Sequence, residues 1–559
     1  MIIPCPFFSG LGIRKKGECK MNNSNSLVKR LMAAIAAGTL LIAVPMSGCN
    51  SGNKENEKEK SSASTASKEA SDEKKTDNDI VAKSPHYSIP FSVFDYLYNY
   101  NYTTFVSTYG SSMLDDSKEL DEQYYDESNK ITWHDYFLQS TQDYITYIMC
   151  FGEGGLDNGM GLTDEEKKEM ADGFNSLEQT AKENSQTLEE YIKSVYGDNV
   201  TKEDIENVQS ISKVGLKYRN SLHDGYKFTD KEYEDKFAES KTSYEVADYY
   251  QYTFSFVETS EDGSSTTVDE KKKNTMKENA NALANSKSGK EFNDYLTKYL
   301  KANPSAVPVN STGTESSLTE DEFNNNVNSY VESAFHSKAA YNETTDMAKW
   351  IFDASRKANE TKVFENESDY TVVLVSKPLY RDESSTRNVR QILITEENLK
   401  TGENSGETVP DSKIKEYAEK ILDEWKSKDS TEEKFGELAN QYSQDPGSNT
   451  KGGLYSNVPE GQMVPAFNDW MFDKNRKPGD TGIVKTDYGY HIMYYVGAGL
   501  KSWQINVDTA LRDQKLAEDY NNLKTKYPVE FDTEAIKKAK VRKQDEESSS
   551  SSAANLAQQ

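Results

Sequence analysis

The sequence predicts an α+β protein built from a helical domain, two units in which a mixed β-sheet is covered by helices, and a long C-terminal helix. Three observations carry that prediction. Six Ser/Thr residues are each followed three positions later by Asp or Glu within about 140 residues: Ser92 with Asp95, Thr132 with Asp135, Thr163 with Glu166, Thr187 with Glu190, Thr201 with Asp204 and Thr229 with Glu232. In such a pair the hydroxyl caps an orphan N–H and the acid reaches back to the cap, so each marks a helix start. Further on, strand-like runs at 389–394 and 491–496 bracket amphipathic helical patterns at 414–425, 434–442 and 465–472. Finally, the run beginning Trp350-Ile351-Phe352-Asp353 returns as Trp470-Met471-Phe472-Asp473. At that constant offset of 120, seven of the 22 positions from 350 to 371 are identical.

Taken in order, the chain of 559 residues opens with a leader. Translation is expected to start at Met21, whose polar stretch reaches Lys29-Arg30 and then an apolar run of 16 residues from Leu31 to Met46. A basic region, a short apolar region and small residues before a cysteine are the form of a secretory signal, here residues 1–48. The run is short for a membrane span, and Pro45 breaks its end. Met46-Ser47-Gly48-Cys49 is similar to a bacterial lipobox. That implies diacylglycerol on the Cys49 thiol and a protein held by lipid on the extracytoplasmic face of the cell membrane. An ordinary cleaved signal with an incidental cysteine is the alternative. The polar, charged remainder of 49–85 cannot bury enough surface to fold and reads as a disordered tether.

From Tyr87 the composition turns aromatic, and 86–245 reads as the helical domain. Tyr96, Tyr98, Tyr100 and Tyr102 are either helix core, the commoner fate of aromatics at helical spacing, or adaptable contacts for unfolded chains. Residues 246–380 form the first copy of the repeat. Tyr252 to Phe256 stand for its first strand, and Phe292, Leu296 and Tyr299 for Phe435, Ala439 and Tyr442 of the second copy.

The second copy, 386–498, holds the residues with chemistry. It carries an Asp445-Pro446-Gly447 turn, the Gly452-Gly453 pair, Gly461-Gln462-Met463-Val464-Pro465, Phe467, and a closing Gly489-Tyr490-His491-Ile492 strand. With the strand at 389–394 ahead of them, these motifs resemble the parvulin peptidyl-prolyl isomerases over about 110 residues. The resemblance implies a catalytic centre at Asp445 and His491, a proline pocket of Leu454, Met463 and Phe467, and Tyr488 in the substrate site. Many parvulins have R-H-I-L in the first strand; here Arg390-Gln391-Ile392-Leu393 puts Gln391 at that position. Glutamine hydrogen-bonds but does not titrate, so weakened activity is expected. Rotation about an X-Pro bond crosses roughly 18 to 20 kcal/mol and breaks no bond, so it needs no nucleophile, metal or cofactor. The other reading of His491 is a strand histidine hydrogen-bonded for packing alone.

The first copy has Thr371 where the second has His491, and it lacks the Asp-Pro-Gly, Gly-Gly and Gly-Gln-Met elements. It is expected to keep the fold without the catalysis. The helices containing Leu188-Glu189-Glu190-Tyr191-Ile192 and Phe228-Thr229-Asp230-Lys231-Glu232-Tyr233 resemble the client-holding domain of the PrsA and SurA foldases. One silent and one intact unit together resemble the plan of SurA. In 502–540, Val507, Leu511, Leu516, Tyr520, Leu523 and Tyr527 make an apolar stripe on a helix ended by Pro528. The resemblance implies that this helix returns to the helical domain; packing on the catalytic unit is the alternative. Residues 544–559, with a run of serines, read as disordered.

The net charge of -27 argues against nucleic acid, whose phosphates need clustered Lys and Arg. The four cysteines, Cys5, Cys19, Cys49 and Cys150, leave no disulfide framework once the leader is set aside. The five histidines show no ligand spacing, so neither metal nor cofactor is expected. Two functions remain. One is an extracytoplasmic isomerase and foldase acting on unfolded or partly folded exported proteins with X-Pro bonds. The other is a non-catalytic holdase or binding lipoprotein whose parvulin-like units are both inactive, a reading that Gln391 keeps open.

Overall fold

The computed structural model describes residues 80–110, 113–115, 117–259, 266–307, 319–400 and 408–542. The leader, Cys49, most of the tether and the tail at 544–559 lie outside the described residues. The described residues fall into two compact units, one drawn from 80–227 and 512–542 and the other from 228–511.

The first unit starts with a hairpin of β1 (Ile80–Lys83) and β2 (Ser88–Pro90). Its bend is pinned by the fully buried Glu153, which accepts hydrogen bonds from the Ser84 hydroxyl at 2.6 Å and the His86 amide at 2.7 Å. Then come α1 (Phe91–Tyr109), β3 (Tyr124–Asp126), β4 (Ile131–Thr132), α2 (Trp133–Asp157), α3 (Asp164–Glu183), α4 (Leu188–Tyr196) and α5 (Lys202–Gly225). The capping boxes at Thr132, Thr163, Thr187 and Thr201 all form. Ser92 does not cap. Helix α1 begins directly after β2 with Pro90 at the cap position, so Ser92 already lies inside the first turn. Tyr98 is fully buried and Tyr96 packs on Tyr196 with ring centroids 5.0 Å apart, so both belong to the core.

The second unit opens with α6 (Asp230–Glu239), capped by the Thr229 box. It continues with β5 (Val246–Ser255), α7 (Glu270–Leu283), α8 (Gly289–Ala302), α9 (Glu320–Ser333), β6 (Phe335–Ala340), α10 (Asp346–Ile351), β7 (Thr361–Glu365) and β8 (Asp369–Tyr380). The second copy comprises β9 (Ser385–Ile394), α11 (Asp411–Ser427), α12 (Glu432–Tyr442), β10 (Leu454–Val458), α13 (Pro465–Phe472), β11 (Thr481–Thr486) and β12 (Gly489–Lys501). The two four-stranded sheets run β6-β5-β8-β7 and β10-β9-β12-β11, the same order of corresponding strands. The internal repeat is therefore a repeat of fold. Thr371 faces Thr253 across the first sheet as His491 faces Leu393 across the second.

One feature of the predicted fold is corrected. The sheets are antiparallel at every pairing and not mixed. Two helices lie between β9 and β10, so the chain reverses an odd number of times before it pairs again, while β11 and β12 form a tight hairpin.

The long helix α14 (Ser502–Lys526) contributes to both units. In the 228–511 unit Trp503 and Val507 pack with Tyr233 and Phe237 of α6. In the other, Leu516, Leu523 and Tyr527 enter the helical core, where β13 (Glu530–Phe531) pairs antiparallel with β1. Among the described residues no helix is long and apolar enough to cross a membrane.

Candidate active site

Strand alternation divides the second sheet into two faces. Strands β9 and β12 pair with Gln391 opposite Met493 and Leu393 opposite His491, so these four side chains share one face. Ile392, Ile394, Tyr490 and Ile492 take the other and form a core with α11 and α12. Against the first face lies α13, started by Pro465 in its first turn, where a missing N–H costs nothing. It buries Phe467 and Met471 among Val389, Val458, Val484 and Met493, with Met463 and Tyr455 half-buried beside them. The Phe467 ring stands edge-on to the His491 imidazole, centroids 5.3 Å apart and planes at 89°.

A continuous hydrogen-bonded line crosses that apolar wall. Asp445 Oδ2 accepts from Gln391 Nε2 at 2.5 Å, from the Ser448 hydroxyl at 2.5 Å and from the Tyr455 hydroxyl at 2.9 Å. Since the Gln391 amide nitrogen donates to Asp445, its Oε1, 2.8 Å from His491 Nδ1, is left as the acceptor. That fixes the imidazole proton on Nδ1, and His491 Nε2 accepts from the Thr486 hydroxyl at 2.8 Å. Gln391 and His491 are buried.

Asp445, Gln391, His491, Phe467 and Met463 are thus brought together. Leu454 and Tyr488 are not. Leu454 pairs with Arg390, whose guanidinium reaches Glu432 of α12, so the register puts it on the face away from His491. Tyr455, one residue on, takes the wall position expected of Leu454. Tyr488 is 66 % exposed in the β11–β12 turn, where only its amide touches the line, donating to the Thr486 hydroxyl. Tyr455, Ser448 and Thr486 are further members of the site; plain alternation back from Val458 points to Leu454, and the register shift between Arg387 and Val389 brings Tyr455 to the wall instead. Among the described residues no group of three or more His, Cys, Asp or Glu could hold a metal ion.

Residues 373–496 match the family model described as the PPIC-type PPIASE domain. This segment is a parvulin domain. Over 197 residues the chain is 29% identical to a foldase protein PrsA of Staphylococcus epidermidis, an alignment covering 34% of this chain and 58% of the relative. Over 75 residues it is 45% identical to a foldase protein PrsA of Geobacillus, covering 13% of this chain and 27% of that one. The chain spans about half the length of the first two curated relatives it matches. A crystal structure of PrsA from Bacillus subtilis aligns with 62% of this chain and 92% of its own at 17% identity and a TM-score of 0.17.

In the parvulin domain, burial pushes the His491 imidazole down to about 4, against a smaller upward pull from Asp445. Burial alone would raise the Asp445 carboxyl, but bonds from Ser448, Tyr455, the Gly447 amide and Gln391 outweigh it and hold it below the usual carboxylate range. Burial, with the bond to Asp445, pushes the Tyr455 phenol up to about 12, so it stays a donor. The whole line is therefore in one protonation state from pH 6 to 9 by a wide margin on each side. Activity is expected to be flat over that range in a proline-isomerisation assay. Stability behaves differently. Unfolded, His491 titrates near its ordinary 6.5, so its neutral burial contributes fully above that pH and is lost as pH falls toward 4. About 3 kcal/mol is expected to disappear over that window, visible in urea melts of the wild type and reduced in His491→Gln.

Proposed function

We propose that the chain is an extracytoplasmic peptidyl-prolyl cis-trans isomerase and foldase that assists the folding of exported proteins, with the parvulin domain as its catalytic part. The observation that carries this reading is the Asp445, Gln391 and His491 line laid along the wall of Phe467 and Met463. The apolar wall grips the proline ring and withholds water. A planar X-Pro amide is more dipolar than its twisted form, so a dry slot favours the twisted one, and binding energy is realised in the transition state. Asp445 and His491, locked in orientation by Gln391, Ser448 and Thr486, offer fixed dipoles to the carbonyl and nitrogen as conjugation is lost. The PrsA name of the relatives supports the foldase part. The clients are unfolded or partly folded exported chains containing X-Pro bonds, and a lipid on Cys49 holds the protein at the membrane.

In the first copy, the Thr371 hydroxyl bonds Thr253 at 3.0 Å where the second copy has its imidazole. We assign that copy a non-catalytic role as a spacer or client surface. The full chain tests the proposal directly. Wild type is expected to accelerate isomerisation of a short X-Pro peptide, and His491→Ala and Asp445→Asn to lower kcat/KM on the order of tenfold to a hundredfold. A wild-type rate no faster than the uncatalysed one leaves the holdase reading in its place.

A further inference from the structure

The slot of the parvulin domain carries a charge that nothing in it neutralises. Asp445 lies half-buried in the turn between α12 and β10, and all four groups that reach its carboxylate are neutral. Gln391 Nε2, the Ser448 hydroxyl and the Tyr455 hydroxyl fill Oδ2, while the Gly447 amide donates to Oδ1 at 3.1 Å. Neutral donors stabilise an anion without cancelling its field, so a full negative charge stands beside the apolar wall. His491 supplies no counter-charge. With its proton on Nδ1 toward Gln391 and Nε2 accepting from Thr486, it is the neutral imidazole.

The cations of the neighbouring strands are engaged elsewhere. Arg390 of β9 turns to the opposite face, where it bonds Glu432 at 2.9 Å and the carbonyls of Lys451 and Gly452. Lys485 of β11 pairs with Asp411 at 2.7 Å and lies over the Tyr490 ring. The Arg387 guanidinium stacks on Phe472, 5.1 Å from its centroid, and donates to the Thr386 carbonyl. Among the described residues no lysine, arginine or histidine pairs with Asp445.

The residue before proline cannot avoid this charge. Its carbonyl is the one that turns out of conjugation, and its Cα is bonded directly to that carbonyl. When the proline ring lies on Phe467 and Met463, the preceding side chain therefore begins at the edge of the slot. Over the length of one side chain, a unit charge interacts with a carboxylate strongly enough to change a rate severalfold, even at the high effective dielectric of a surface.

We propose that Asp445 also determines specificity: the slot takes X-Pro bonds whose preceding residue is basic or neutral and disfavours those in which it is acidic. The inference rests on the isomerase reading of the slot and adds a substrate class to it, unfolded segments carrying Lys-Pro or Arg-Pro. Rejection comes from like charge that no neighbouring cation offsets, and acceptance of a basic residue from the same field with its sign reversed.

The full chain is assayed by exchange NMR, which needs no coupling protease with a preference of its own, on end-blocked Ala-X-Pro-Phe peptides with X as Lys, Gln or Glu. Lys-Pro is expected to exceed Glu-Pro about tenfold in kcat/KM at low salt, with Gln-Pro between them. Near 1 M salt, where the Debye length is about 3 Å, the ratio is expected to shrink to about threefold or less. Asp445→Asn lowers turnover on every peptide and is expected to bring the ratio to about one; where its turnover is too slow to read, NMR titration of the same peptides gives the ratio as affinities. Tyr455→Phe keeps the carboxylate and its bonds from Gln391, Ser448 and Gly447, and is expected to keep the ratio at whatever rate remains. Equal rates on Lys-Pro and Glu-Pro in the wild type would overturn the inference and leave the isomerase reading standing. So would a ratio that persists in Asp445→Asn, which would assign the preference to the net charge of -27 instead. A wild type that accelerates none of the three peptides would overturn both.

Discussion

Gly453→Ala is expected to remove most of the stability of the parvulin domain. Gly453 has φ +70, and a Cβ there would lie 2.1 Å from the Gln391 carbonyl oxygen and 3.0 Å from the Gln391 nitrogen. Both atoms are backbone of β9, the strand that pairs with β10 and β12 alike. The Gly453 carbonyl also accepts from the Gln391 amide at 2.9 Å, so relieving the collision breaks that bond and disturbs the residue that joins Asp445 to His491. Left-handed strain alone costs on the order of 1 kcal/mol; a backbone collision that cannot relax brings the expected total to about 4 kcal/mol or more. That is most of what a marginal domain has. Gly461→Ala is the control: its φ is +87, yet nothing lies within 4 Å of the added carbon, so only the strain is expected. Urea melts of the two variants should differ by about 3 kcal/mol, with isomerase activity lost only in the first.

Gln391→Leu is expected to lower isomerase turnover on the order of a hundredfold. The substitution preserves most of the volume at a buried position but cuts the line at its centre. The His491 Nδ1 proton and one acceptor site of Asp445 lose their partner together. A buried polar group left unpaired costs roughly 1 to 3 kcal/mol, and the freed imidazole can take the wrong tautomer or rotate. Gln391→His, which reinstates the residue of the R-H-I-L pattern, is expected to keep both contacts and to equal or exceed wild type. The readout is kcat/KM on a short X-Pro peptide, with KM and kcat separated. A positioning role predicts the loss in kcat, whereas equal activity in Gln391→Leu would show that the line is structural only.

Much of this architecture was legible in the chain because the signals are local. Capping boxes at Thr132, Thr163, Thr187, Thr201 and Thr229 each depend on residues three apart, and all formed. Ser92 failed because the neighbouring strand and Pro90 set the helix start two residues earlier than the pattern implies. Thr319 and Glu322 form the same box at the start of α9, in the very stretch where the repeat loses its matches. Of the site, Asp445, His491, Phe467 and Met463 were readable through a family pattern. Tyr455 was displaced by Leu454 because a register difference of one residue inverts the face of a side chain, and register is set by cross-strand pairing. Ser448, in a turn, and Thr486, at the end of β11, carry no sequence signal beyond their hydroxyls, and only their contacts with Asp445 and His491 mark them.

The helical core is completed from both ends of its chain: Leu516, Leu523 and Tyr527 pack among residues from Val81 to Ile211, and β13 zips onto β1. The stretch from 228 to 511 is thus inserted within another unit's sequence. During synthesis, at roughly 5 to 20 residues per second, the early helices emerge tens of seconds before the segment that closes them. The inserted unit has all its own strands available first. Maturation is then expected to run inside out, with the earliest-made helices the last to complete their core and their apolar faces uncovered for that interval.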